Sequence, residues 1–234
     1  MSNVKVNNIY DSSGGSNATL YGVAAPTGGM GFRNRIINGD MRIDQRNAGA
    51  SVTPTNGSYT LDRWQVAVSA ASKFSVQQVT TAPAGFTYSL KATSLSAYTV
   101  GAAESFRIQH QIEGFNVADL GWGAAGAQAV ALSFRVYSSL TGTFGGSITD
   151  SVIGYSYPFS YTVSSANTWT TITVNISGPT SGTWYTTNGV GLAVVFSLGA
   201  GASVSGTAGA WASGFYASAT GATSVVGTNG ATFY

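Results

Sequence analysis

A two-residue step in hydrophobicity runs through most of this chain. Trp64, Val66 and Val68 fall on one face and Arg63, Gln65 and Ala67 on the other; Phe86, Tyr88 and Leu90 oppose Thr87, Ser89 and Lys91. The same step recurs at Phe106, Ile108, His110 and Ile112, at Val130, Leu132, Phe134 and Val136, at Ile172, Val174 and Ile176, and at Leu192, Val194, Phe196 and Leu198. Side chains of extended backbone alternate between faces, so each segment predicts a strand with one buried and one wet side. Helical periodicity is nearly absent, apart from a short turn over Asn116 to Leu120. Strands at this spacing, joined by Gly-rich connections from about residue 34 to 218, predict an all-β fold: an antiparallel jelly-roll β-sandwich.

The two ends read differently. Residues 1–31 are rich in Gly, Ser, Asn and Ala, too thin to own a core, and predict an extended N-terminal arm ahead of a body spanning 32–234. The arm is either a flexible linker or an anchor that orders against a partner. Val4 and Val6 alternate like a strand seeking an edge, and with Ile9 and Tyr10 they are the candidate anchoring residues. Residues 199–232, mostly Gly, Ala, Ser and Thr, read either as plain loops or as surface that is covered in an assembly.

Composition sharpens this picture. The chain has 234 residues with 44% apolar, enough for one domain with a real core, yet only ten basic and eight acidic residues. A net charge of +2 and scattered basic residues do not make an electrostatic nucleic-acid binder. Eight of the charges lie between Arg33 and Arg63, and none follows Asp150. A tail without charge is poorly defended against edge-to-edge pairing, which is the reason to expect cover over part of it. Zero cysteines exclude disulfides and thiolate chemistry, and no apolar run reaches the ~18 residues of a membrane-spanning helix. No secretory-signal-like run opens the chain, so synthesis in a host cytoplasm without a signal peptide is expected.

Candidate chemistry is sparse, and no cofactor is expected. His110 shares its face with Phe106, Ile108 and Ile112 and reads as a sheet-face histidine bonded to a neighbour. Asp40 and Asp44 are four residues apart, about 13 Å in extended chain, beyond the roughly 5 to 9 Å of a glycosidase pair. Arg35, Arg42 and Arg46 are expected to neutralise them, and no metal-ligand spacing supports a calcium site. Aromatic residues are what remain. Tyr155, Tyr157, Phe159 and Tyr161 share one strand face, and Trp184-Tyr185 falls in a loop between Gly182 and Gly189. Flat rings with polar tips suit a core, a subunit contact or the face of a sugar. Tyr155, Tyr157, Tyr161, Trp184 and Tyr185 are therefore the candidate carbohydrate-binding residues. Trp64 and Trp169 are expected to be structural.

Several motifs carry a family resemblance. The run Arg33-Asn-Arg-Ile-Ile-Asn-Gly-Asp-Met-Arg-Ile-Asp-Gln-Arg46, then Tyr59-Thr-Leu-Asp-Arg-Trp64, resembles the opening of a family of bacteriophage tail-fibre-type virion proteins. In order, Gln111 to Gly123, Leu132-Ser-Phe-Arg-Val136, Tyr157-Pro-Phe-Ser-Tyr161 and Gly182-Thr-Trp184 fit the same family, so the resemblance covers roughly residues 30–234. The Asn-Gly-Asp opening is in turn similar to that of carbohydrate-binding jelly-roll modules, although Met41-Arg42 departs from their pattern. The resemblance implies a virion-surface structural and adhesive protein; a glycan depolymerase on the same scaffold is the enzymatic alternative. The absence of any carboxylate after Asp150, with those before it in Arg-rich or isolated contexts, argues for a protein without enzymatic activity. It would be a homotrimer, held by its arm to other phage virion proteins and presenting its jelly roll to a host-surface glycan, without nucleic acid or membrane insertion. A capsid decoration or head-fibre protein is the alternative. Members of that family continue past a Gly-Ala-Thr-Phe-Tyr segment into a further strand, which implies a jelly roll lacking its final strand here, with more chain or another subunit to supply it.

Overall fold

A computed structural model describes Thr19–Leu20, Val23–Ala24 and residues 33–234. The chain divides into two compact units, Met1–Asn34 and Arg35–Tyr234. In the first, strands β1 (Thr19–Leu20) and β2 (Val23–Ala24) pair antiparallel. The candidate anchor residues Val4, Val6, Ile9 and Tyr10 lie outside the described residues.

The second unit is all-β. Along the chain its strands are β3 (Tyr59–Leu61), β4 (Trp64–Val68), β5 (Phe74–Val79), β6 (Ser89–Ser94), β7 (Ser105–Glu113), β8 (Val130–Val136), β9 (Gly142–Asp150), β10 (Tyr155–Val163), β11 (Thr170–Ile176) and β12 (Val190–Ala200). Four two-residue strands follow: β13 (Ser205–Gly206), β14 (Ala212–Ser213), β15 (Ser218–Ala219) and β16 (Thr232–Phe233). One layer is a seven-stranded sheet in the order β14-β10-β9-β12-β7-β4-β3. Opposite it lie β16-β6-β5 and the β11-β8 ribbon, linked by an antiparallel bridge between Ser138 and Phe233. Every pairing in these two layers is antiparallel, and the chain crosses between them from β4 to β5, β6 to β7, β7 to β8, β8 to β9, β10 to β11 and β11 to β12. That is the alternation a jelly-roll sandwich requires.

The predicted period places the core. Phe106, Ile108 and Ile112 of β7, Phe144 and Ile148 of β9 and Phe159 of β10 are buried, as are Leu192, Val194 and Leu198 of β12. Phe134 of β8 reaches across the sandwich to Phe159, Tyr161 and Phe196, with ring centroids 6.3, 5.0 and 5.0 Å away. Strand β10, buried without a break from Ser156 to Phe159, departs from simple alternation, and β12 and β9 do so as well. In β12 Ala193 and Val195 are buried along with their neighbours, and in β9 every residue from Phe144 to Asp150 is buried. Their outer faces are covered by the chain's own C-terminal segment: a Cβ on Gly145 would come within 2.3 Å of Ser218 Oγ and 2.7 Å of the Ala219 nitrogen. Ala217, Ala219, Val225 and Val226 are buried too. Residues 199–232 are thus no plain loop. The charge-free tail is in part an internal cover.

Other expectations need correction. The alternation at Phe86 does not extend a strand, because β6 begins at Ser89 and Phe86 is 45% exposed. The predicted turn is two consecutive 3₁₀ turns, Gly114–Asn116 and Ala118–Leu120. Asp44 is not neutralised by the neighbouring arginines. Its carboxylate accepts hydrogen bonds from the Asn47 and Gly49 nitrogens, Arg42 approaches Asp40 only to 3.8 Å at the surface, and Arg35 pairs with Asp119. Short polar side chains that bond nearby backbone stabilise turns in this way.

β16 sits between β6 and the end of β8. Thr232 and Phe233 pair with Thr93 and Ala92, while Tyr234 exchanges both backbone hydrogen bonds with Tyr137. Further along β8, Arg135, Ser133 and Ala131 point the same way as Tyr137, since backbone groups alternate sides along a strand. Among the described residues no strand pairs with that edge.

Candidate functional site

The candidate aromatic residues separate into two groups. Tyr157 and Tyr161 of β10 face inward, 6% and 5% exposed, and pack in the core with Phe159. The Tyr161 hydroxyl is buried with no hydrogen-bond partner among the described residues, and burial pushes its pKa well up from the ordinary phenol value. These two rings do not reach solvent, so neither belongs to a sugar-binding surface. Sequence alternation had grouped them with Tyr155, because one strand face can run from the rim of a sandwich into its core.

Tyr155, Trp184 and Tyr185 come together at that rim, with two tryptophans that sequence reasoning missed. Trp122 follows the second 3₁₀ turn, and Trp211 precedes β14. Trp122 meets Trp184 edge-on at 4.8 Å and Trp211 at 5.5 Å, and Trp184 meets Trp211 at 5.4 Å. Tyr155 stacks on Trp211, and Tyr157 touches Trp211 from below at 5.3 Å. Edge-to-face triads of this kind are favoured by ring quadrupoles beyond the area they bury. Each indole Nε1 donates to a backbone carbonyl: Trp122 to Gln128, Trp184 to Ser181 and Trp211 to Ser177. The rings are therefore fixed through their N–H groups; Trp122 is buried beneath, and the half-buried Trp184 and Trp211 present aromatic surface outward.

Local backbone explains why the rings fit. Gly182 has φ +98°, and a Cβ there would lie 2.9 Å from Trp184 Nε1; Gly123 has φ +89°, and its Cβ would lie 2.8 Å from Trp184 Cδ1. Both positions require a left-handed conformation and a bare backbone against the indole. Neither glycine is interpretable before Trp184 is placed, which is why the sequence alone gave no signal for them.

Asp150 ties the rim together. It ends β9, is 3% exposed, and its carboxylate accepts three backbone N–H groups: Gly154 at 2.7 Å, Tyr155 at 3.2 Å and Thr183 at 2.9 Å. One side chain thus joins the turn between β9 and β10 to the loop that carries Trp184. Ser151 adds a second link, its hydroxyl donating to the Gly191 carbonyl and accepting from the Tyr185 nitrogen. At the tip of the turn Ile153 has φ +59°, a strained value for a β-branched residue, and is half exposed. Val152, Phe115 and Tyr185 are also exposed, at 49%, 66% and 47%, so apolar surface continues around the rim.

Beside Trp184 lies a hollow of about 40 Å³ lined by Val117, Ala118, Gly121, Trp122, Trp184, Tyr185 and Thr186. No lysine or arginine occurs in residues 113–123, 150–155 or 177–191, which frame the rim. Their acids are engaged. Glu113 pairs with Arg63 at 2.6 Å, and that bond holds its carboxyl below the ordinary range. Asp119 takes a two-pronged bond from Arg35 at 2.7 and 2.8 Å.

His110 lies elsewhere, fully buried, with Nε2 3.0 Å from the Ile37 carbonyl oxygen and its ring edge-on to Trp64 at 5.2 Å. It holds the segment before β3 against the sheet. Among the described residues no group of three or more His, Asp or Glu side chains is placed to hold a metal, and no helix is long and apolar enough to cross a membrane.

No protein-family model and no curated protein matches the chain. Among solved structures, it is similar to the enzymatically active domain of tailspike protein 4 of bacteriophage CBA120, with a TM-score of 0.36 and 15% identity over 62% of this chain. The similar region spans 20% of that tailspike chain, about a fifth of its length.

Proposed function

We propose that this protein is a non-enzymatic structural and adhesive component of a bacteriophage virion, of the tail-fibre type, whose sandwich presents the aromatic rim to a host-surface glycan. The single observation that carries the adhesive role is the rim itself: half-buried Trp184 and Trp211 packed on the buried Trp122, their N–H groups engaged by backbone carbonyls, with Tyr185 exposed beside them. Aromatic surface without charge is what a sugar's C–H face packs on. The placement on a phage particle rests on the sequence motifs, which run in order from Arg33 to Trp184. Shallow contacts of this kind bind weakly one at a time and gain strength from several copies, which fits a homotrimeric fibre.

The absence of enzymatic activity in this proposal follows from the acids at the rim. Hydrolysis of a glycosidic bond takes two carboxyl groups flanking the sugar, one of them free to exchange a proton. Asp150 is buried under three N–H donors, and Glu113 and Asp119 are held by arginines.

Immunogold electron microscopy of intact particles, with an antibody to the sandwich, tests the location. Label at the tail supports a fibre; label over the capsid overturns it in favour of a decoration protein. Phage carrying Trp184→Ala should then adsorb to host cells at least tenfold more slowly. Unchanged adsorption would remove the rim from host binding. Deletion of residues 1–31 should abolish incorporation into particles, and particles that retain the truncated protein would refute anchoring by the arm.

A further inference from the structure

We infer that the rim takes an uncharged N-acetylated sugar, its ring against Trp184 and Tyr185 and its acetamido group in the hollow beside Trp184. This rests on the glycan reading above and narrows it to one class of ligand. Three features carry the inference.

The first is charge. An acidic sugar would bring a carboxylate or sulfate against the rim, where its loss of hydration needs a cationic partner. The framing segments contain no lysine or arginine, and the arginines that reach them, Arg35 and Arg63, are already held by Asp119 and Glu113. An amino sugar with a free ammonium meets the converse problem, because Asp150 faces inward onto its three N–H donors.

The second is volume. A water needs about 10 to 15 Å³ of such space, so a hollow of about 40 Å³ has room for a group of roughly three heavy atoms. The branch of an acetamido group beyond its nitrogen is a carbonyl carbon, an oxygen and a methyl. A bare hydroxyl would leave most of the space unfilled.

The third is chemistry. Val117, Ala118 and Trp122 are apolar lining residues suited to a methyl, while Tyr185 and Thr186 are the lining residues that carry a hydroxyl for the amide. The hollow opens directly beside Trp184, whose position is fixed by Gly123, Gly182 and the bond from Nε1 to Ser181. Ring stacking and substituent insertion are thus available to one residue of a single sugar.

The test is isothermal titration of the full chain with three trisaccharides: N,N′,N″-triacetylchitotriose, cellotriose and a trigalacturonate. Cellotriose shares the backbone of the first but lacks the acetamido groups. The expected result is saturable binding of the N-acetylated trimer, at least tenfold tighter than cellotriose, with no saturable binding of the acidic trimer. Ala118→Leu, at an exposed position, fills the hollow and should lower the N-acetylated affinity to that of cellotriose without moving the denaturation midpoint. Equal affinity for the two neutral trimers would overturn the acetamido assignment and leave ring stacking in place. Preference for the acidic trimer would overturn the charge argument. Binding of none of the three would overturn the inference, and adsorption of the Trp184→Ala phage then decides the broader glycan reading separately.

Discussion

The ring of Tyr155 lies parallel to that of Trp211, with centroids 5.6 Å apart and planes within 3° of each other. Trp211 also meets Trp122, Trp184 and Tyr157, so four aromatic contacts converge on one side chain of the C-terminal segment. Trp211→Ala would remove them together and leave the Ser177 carbonyl without its indole donor. For a half-buried tryptophan the expected loss is about 2 to 4 kcal/mol, below or at the low end of the ~3 to 5 kcal/mol of fully buried aromatic truncations. Urea unfolding followed by circular dichroism checks it, and the coupled indole signal in the near ultraviolet should collapse in the folded variant.

Replacing Asp150 tests the clamp. Asp150→Ala strands three backbone N–H groups at a buried position, and each orphaned donor costs about 1 kcal/mol or more. Destabilisation of about 3 kcal/mol is expected, with faster amide exchange at Gly154, Tyr155 and Thr183. Asp150→Asn keeps one acceptor oxygen and should lose less. Equal effects from the two variants would show that charge, and not the number of acceptors, holds the rim.

Gly182→Ala addresses Trp184 first and the Tyr155 ring beside it, whose Cδ1 would lie 3.0 Å from the new Cβ. The left-handed φ of +98° and a Cβ 2.9 Å from the indole leave no unstrained solution, so the ring must shift. A cost of about 1 to 2 kcal/mol is expected from the backbone conformation and the displaced contact. Quenching of tryptophan fluorescence by acrylamide should rise as Trp184 loosens.

The sandwich was legible in the chain because Phe106, Ile108 and Ile112, or Leu192, Val194 and Leu198, keep a period of two and are buried as that period requires. What the pattern could not convey was the depth at which a face sits. Tyr155 and Tyr161 are six residues apart on one face of β10, yet one is at the rim and the other in the core. Trp122 and Trp211 escaped notice for a different reason. Each lies in a Gly-rich connection with no periodic partner, and they are 89 positions apart, so only the folded chain brings their rings to 5.5 Å. Asp150 likewise looked like the last isolated charge of a nearly neutral chain; its meaning lies in the three N–H groups that turn toward it.

His110 gives a pH dependence with a definite sign. Burial lowers its pKa from the ordinary value of about 6.5, with Arg63 acting in the same direction and the Ile37 carbonyl and Glu113 opposing. The folded protein then binds fewer protons than the unfolded chain between its folded pKa and about 6.5. The stability contribution of neutral His110 is complete above that upper limit and declines as pH falls through the window. The urea midpoint should therefore drop between pH 7.5 and 5, before most carboxylates titrate. His110→Gln should flatten the profile, and a flat profile in the unaltered protein would refute the linkage.

The exposed edge of β8 makes the last prediction. Tyr137 exchanges two backbone hydrogen bonds with Tyr234, so Arg135 and Ser133 direct their N–H groups to the same side, where no strand pairs among the described residues. Phe134 and Leu132 point the other way and pair with Ile172 and Val174 of β11. Adjacent amides of one strand should then differ in hydrogen exchange, because protection follows the local bond and not the strand as a whole. Arg135 and Ser133 should exchange at least 100-fold faster than Phe134 and Leu132 when followed by NMR. Pro at position 133 is a second check. It removes a backbone donor that faces the open side and an exposed, long hydroxyl contact from Thr173 at 3.4 Å, so Ser133→Pro should cost far less than Phe134→Pro, which breaks the β8–β11 ladder. Equal protection along β8 would mean that another segment occupies this edge in solution.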